Sequence, residues 1–127
     1  MLANAPITPV LPSTDLERSK KFYTEKLGLT VKSEHHGGVS FSAGGGTELF
    51  VYERPPSIAE HTLAAFRVDD LEAVVDELTT KGVVFEKYDF PGLKTDEKGI
   101  AVMDSDNEKA AWFKDPDGNI LSIGQGM

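Results

Sequence analysis

"AWFKDPDGNILSI", residues 111–123, decides the fold. It reads as two short strands joined by a tight turn. Pro116 presets φ for the first corner, Asp117 tolerates the second, and Gly118 takes the positive φ that a bulged hairpin needs. An earlier stretch, "VSFSAGGGTELFVYE" (39–53), reads as a second hairpin, turning on Gly44, Gly45 and Gly46.

Working back from each hairpin shows one unit used twice. "VLPSTDLERSKKFYTEKLGLTVK" (10–32) is echoed by "AFRVDDLEAVVDELTTKGVVFEK" (65–87). Asp15-Leu16-Glu17 matches Asp70-Leu71-Glu72, and Gly28 matches Gly82 with one residue of slack. Each copy opens with an extended apolar stretch, Ile7 to Leu11 and Leu63 to Val68. A capping-box pattern follows, Thr14 with Glu17 and Asp69 with Glu72. Leu71, Val74, Val75 and Leu78 then form a full amphipathic stripe. Leu16, Ser19, Tyr23 and Leu27, with Phe22 alongside, form a poorer one. Gly28 and Gly82 suit the helix C′ position. Leu29–Val31 and Val83–Phe85 resume as strands. The second copy carries an extra segment, "YDFPGLKTDEKGIAVMDSDNE" (88–108), a loop with one short strand over Gly99 to Met103. The expected architecture is α+β, two βαβββ modules over about 5–54 and about 61–126, in a single domain.

Composition bounds the function. The chain has 127 residues, 39% hydrophobic and 27% charged, ordinary for one globular domain with a real core. A net charge of −8 repels duplex nucleic acid and anionic membrane surfaces and suits a cationic or neutral small ligand. With no cysteine, disulfides, thiolate metal sites and cysteine nucleophiles are excluded. The opening "MLANAPITPV" lacks the pattern of a signal peptide, and the expected location is cytoplasmic. No Gly-x-Ser-x-Gly elbow occurs, and the triple glycine precedes a strand rather than a helix, so it is not a phosphate loop.

"STDLERSKKFYTEKLGL", "FRVDDLEAVVDELTTKGV" and "WFKDPDGNILSI", in that order on a repeated unit, resemble the vicinal oxygen chelate superfamily. That superfamily includes glyoxalase I, bleomycin resistance proteins and extradiol dioxygenases. The resemblance implies modules that form a cup-shaped mixed sheet, and usually a homodimer. In metal-dependent members a divalent ion sits in the cup, held by His or Glu from the first and last strands of each module. Carried onto this sequence, those positions are Thr8, Glu48, Leu63 and Ser122. Only Glu48 is a good ligand. His61, two residues before Leu63, offers a shifted site with Glu48, or else ends a solvated loop. The adjacent His35 and His36 read as a solvated turn.

Strand alternation places Glu48, Phe50 and Tyr52 on one face, and the resemblance makes that face the cup interior. Trp112 and Phe41 are expected to join them from neighbouring strands, or to be plain core. A desolvated Glu48 would suit a base that removes a proton from carbon; paired with Arg67, a lysine or water, it would not. The 89–99 loop reads as a lid, with Lys94, Thr95 and Asp96 towards a ligand, or as surface. The resulting expectation is a small organic molecule bound without metal or cofactor in a mostly apolar cup, as in the bleomycin resistance branch. The alternatives are a glyoxalase-type lyase, isomerase or dioxygenase using a divalent metal or Glu48 as base, and a module that acts only through dimer contacts.

Overall fold

The computed structural model describes residues 1–103 and 105–126. The chain divides into two compact units, Met1–Ser57 and Ile58–Met127. Each is a βαβββ module with a four-stranded mixed sheet, as the repeat predicts.

In the first unit, strand β1 (Val10–Ser13) leads into helix α1 (Leu16–Lys21), then β2 (Thr30–His35), β3 (Gly38–Ser42) and β4 (Glu48–Glu53). The sheet order is β1-β4-β3-β2, with β1 parallel to β4 and the other pairs antiparallel. Strand β1 starts later than the apolar run predicts. Ile7 is exposed and pairing begins at Val10, after the two prolines that lack N–H donors, Pro6 and Pro9. Helix α1 passes directly into a π-helical turn, Phe22–Lys26, which brings Tyr23 fully into the core. Its poor stripe works because Ser19, buried, shares a 2.7 Å hydrogen bond with the buried Ser13 of β1.

In the second unit, β5 (Thr62–Arg67) leads into α2 (Leu71–Thr80). The short hairpin strands β6 (Asp89–Phe90) and β7 (Leu93–Lys94) follow, then β8 (Ile100–Val102), β9 (Lys109–Lys114) and β10 (Ile120–Gln125). The main sheet runs β5-β10-β9-β8, with β5 parallel to β10. The buried side of α2 is the expected stripe of Leu71, Val75 and Leu78. It meets Leu121, Ile123 and Phe113, all buried, on the face of β9 and β10 that carries the helix.

Three expectations are corrected. The helix caps are Asp15 and Asp70, one residue after those read from the capping boxes; their carboxylates accept from the N–H groups of Arg18 and Ala73. Glu17 and Glu72 therefore fall at the second helical position, where a capping-box glutamate does not reach back. The stretch Val83–Phe85 makes only a single bridge, Phe85 to Phe113, and Ile100–Val102 takes the edge place instead. The 89–99 loop is a small hairpin, closed by bonds between Tyr88 and Thr95 and by an Asp96 turn that accepts from Lys98 and Ile100.

One long-range contact supports the start of α2. The Gln125 Oε1 atom accepts from the Leu71 N–H at 2.9 Å, from the far end of β10. Gln125→Ala is expected to lower stability by about 1 kcal/mol, read as a shift of the urea midpoint. Faster amide exchange should be confined to the first turn of α2.

Candidate functional site

In both modules, strand alternation separates a face covered by the helix from an open face. In β4, Leu49 and Val51 are buried beneath α1, and Glu48, Phe50 and Tyr52 lie half-buried on the other side. In β10, Leu121 and Ile123 are buried beneath α2, and Ser122 and Gly124 lie on the open side.

Pairing register changes the assignment of equivalent positions. Strand β4 begins with Glu48 opposite Ser42, and β10 begins with Ile120 opposite Lys114. Counted from these hairpin ends, Ser122 corresponds to Phe50, and Glu48 corresponds to Ile120. Both loops hold five residues, 43–47 and 115–119, so the expected pairing of Glu48 with Ser122 is off by two residues. A shift of two keeps the face and moves the residue along the strand.

The carboxylate of Glu48 is engaged elsewhere. Lys32 lies at an irregularity in the β2–β3 pairing, between Val31 and Ser33, and its ammonium sits 2.6 Å from Glu48 Oε2. Glu48 thus pairs with a lysine, neither with Arg67 nor as a free inward base. Thr8 is exposed and precedes β1. Leu63 is the residue skipped where the β5–β10 register shifts, so it has no partner opposite. His61 is exposed just before β5. Thr8, Phe50, Leu63 and Ser122 supply two neutral hydroxyls and two hydrocarbons, which do not fit a divalent metal. No three His, Asp or Glu side chains come together as a metal site among the described residues.

Phe41 is also corrected. It pairs with Leu49, on the helix-covered face, and its ring centroid lies 5.3 Å from that of Tyr23. Ser40 and Ser42 take the open-face places in β3. The open face of the first module therefore carries Phe50, Tyr52, Ser33, Ser40 and His35, with the Lys32–Glu48 pair at one end. His35 belongs to β2 rather than to a turn. Its Nε2 lies 2.9 Å from Ser33 Oγ and its ring 6.1 Å from Phe50. Gly38 lies beneath Phe50, whose ring would have to shift to admit a Cβ there.

The second module brings together a different set. Trp112 lies opposite Ser122, which lies beside Ala65, so small residues line the open face next to the indole's strand. Tyr88 packs edge-on against Trp112 at 5.6 Å and stacks on Phe90 at 5.8 Å. Phe90, at the tip of the β6–β7 hairpin, is 59% exposed, so the three-ring ladder ends in solvent. Burial, and then the nearby Glu86 carboxylate, push the Tyr88 phenol above its ordinary value, so it is a neutral donor at physiological pH. Sequence reading reached Trp112 and missed Tyr88 and Phe90. The signal available was an alternating aromatic pair just before a Pro-Gly turn. His35 and Lys32 gave no signal, because a bulge cannot be seen in a strand of this composition.

Fold and site together define an α+β protein of two βαβββ modules with an aromatic open face and, among the described residues, no cluster of metal-ligating side chains. A sequence model of the Glyoxalase/Bleomycin resistance protein/Dioxygenase superfamily matches residues 7–123, and the chain belongs to that superfamily. No curated protein matches it. Among solved structures it is similar to TnmS3, an antibiotic binding protein from Streptomyces sp. CB03234, with 23% identity, TM-score 0.69 and 98% of each chain covered. It is similar to SMU.1112c, with 24% identity, TM-score 0.71 and 97% of this chain and 99% of that one covered. The oxidase ChaP-H2 has 19% identity and TM-score 0.72, over 98% of this chain and 95% of that one. At these identities the likeness concerns the fold.

Proposed function

We propose that this protein binds a small planar aromatic molecule, without metal, on the open face of its second module. The observation that carries this reading is the Phe90–Tyr88–Trp112 ladder standing beside Ser122 and Ala65, with no donor set for a metal at the family positions. Partly exposed rings next to small residues accept an aromatic ligand by stacking and by burial of apolar area. The similar fold of TnmS3, an antibiotic binding protein, supports a binding role for this scaffold.

Trp112 is the sole tryptophan, so its emission reports the site directly. Titration with neutral, cationic and anionic fused-ring aromatics, and with basic glycopeptides, should give saturable quenching by at least one aromatic class. Tyr88→Ala should weaken that binding about tenfold, the scale of one ring contact of about 1.4 kcal/mol. Absence of saturation up to about 1 mM, the weak limit of specific binding, removes the reading. So does stoichiometric metal in purified protein that is lost together with ligand binding on dialysis against a chelator.

A further inference from the structure

We infer that the aromatic ligand is a carboxylate and that Arg67 is the residue that holds its acid group. This rests on the aromatic-ligand reading above and adds the charge. Arg67 is the last residue of β5 and lies opposite Gly124 in the parallel register, two positions along from Ala65. It therefore projects on the open face that carries Ala65, Ser122 and Trp112. Gly124 has no side chain, so the strand beside Arg67 leaves the guanidinium room over the sheet.

Arg67 is exposed and makes neither an ion pair nor a side-chain hydrogen bond among the described residues. The lysine on this face is matched: Lys114, opposite Ile120, lies 3.6 Å from Glu86. An uncompensated guanidinium is thus left facing a serine hydroxyl and an indole.

Spacing fits an acid on an aromatic ring. Trp112 and Arg67 stand two strands apart, about 10 Å, and two residues apart along the strand, about 7 Å. That diagonal, about 12 Å, spans an acid group on one or two fused rings. A planar guanidinium meets a carboxylate with two parallel hydrogen bonds, which fixes orientation as well as charge. The net charge of −8 argues for cations only at long range. The field of distant charges decays over about 8 Å at physiological salt, so the group in contact sets affinity, and net charge sets arrival rate.

Calorimetric titration of the full chain with naphthoate, naphthamide and naphthylmethylammonium tests this. Naphthoate should bind about tenfold tighter than naphthamide, as expected for one charge-assisted contact, and the ammonium should bind weakest. Arg67→Gln should bring naphthoate down to the naphthamide level and leave naphthamide unchanged. Arg67→Lys should recover part of the difference, since an ammonium is a point charge. Unchanged thermal midpoints would show that the variants fold. Equal binding of acid and amide, tighter binding of the ammonium, or an acid preference that survives Arg67→Gln overturns the assignment and leaves the aromatic reading standing. Failure of all three probes to bind overturns both.

Discussion

Asp115→Ala is expected to lower stability by about 3 kcal/mol, the largest effect of any polar substitution in the second module. Asp115 is 5% exposed, and its carboxylate organises the β9–β10 turn. Oδ1 accepts from the backbone N–H of Asp117 and of Asn119, each at 2.9 Å, and Oδ2 accepts from the Asn119 side-chain amide at 2.8 Å. Asn119 is itself 2% exposed. Alanine would take the acceptor from three N–H donors, two of them on the buried Asn119, and losing such a bond costs more than making it gains. Asp115→Asn keeps one acceptor and should cost roughly half as much. Because the turn holds Trp112 opposite Ser122, the loss should appear as a lower urea midpoint with Trp112 emission as the reporter. A change below about 0.5 kcal/mol, the range of ordinary surface substitutions, would mean that Pro116 and Gly118 form the turn unaided.

The same stretch shows what a single sequence can and cannot tell. "DPDGN" declared the hairpin because turn chemistry is local: Gly118 sits at φ 84°, where the bulged turn needs it. The stripe of α2 and the alternation of β4 were legible for the same reason, since helix and strand periods are fixed by backbone geometry. Errors arose wherever a long-range partner decides. Val83–Phe85 has strand composition, but the edge of the sheet is filled by Ile100–Val102, so only Phe85 pairs. Phe41 and Phe50 look alike in sequence, and register sends one to Tyr23 and the other to the open face. The role of Glu48 turned on a bulge that brings Lys32 to it. Arg67 looked like a partner for Glu48, yet Glu48 is taken by Lys32. Family motifs thus fixed the scaffold and its missing metal ligands. The ladder of Tyr88 and Phe90 against Trp112 came from an insertion whose pairing no motif encodes.

Adjacent residues in β9 should show opposite behaviour when each is cut to alanine. Phe113 is 1% exposed, pairs with Leu121 on the face covered by α2, and lies 5.7 Å from the Phe85 ring at 69°. Phe113→Ala removes that ring contact and leaves a cavity, so it is expected to destabilise the protein by about 4 kcal/mol. It also loosens the one bridge that holds the Val83–Phe85 segment to the sheet. Trp112 points the other way, half-buried beside Tyr88. Trp112→Ala should cost less, about 2 kcal/mol of stability, because part of its ring remains exposed. Its binding of planar aromatics should fall by about two orders of magnitude, as for a central aromatic anchor worth about 2–3 kcal/mol. Circular dichroism during urea denaturation measures the first quantity for both variants, since Trp112→Ala has no fluorophore, and calorimetry measures the second. Were Trp112→Ala to unfold as readily as Phe113→Ala while keeping ligand affinity, the indole would be core and the ligand would bind elsewhere. Separated phenotypes one residue apart would tie the binding face directly to the two-residue period of the strand.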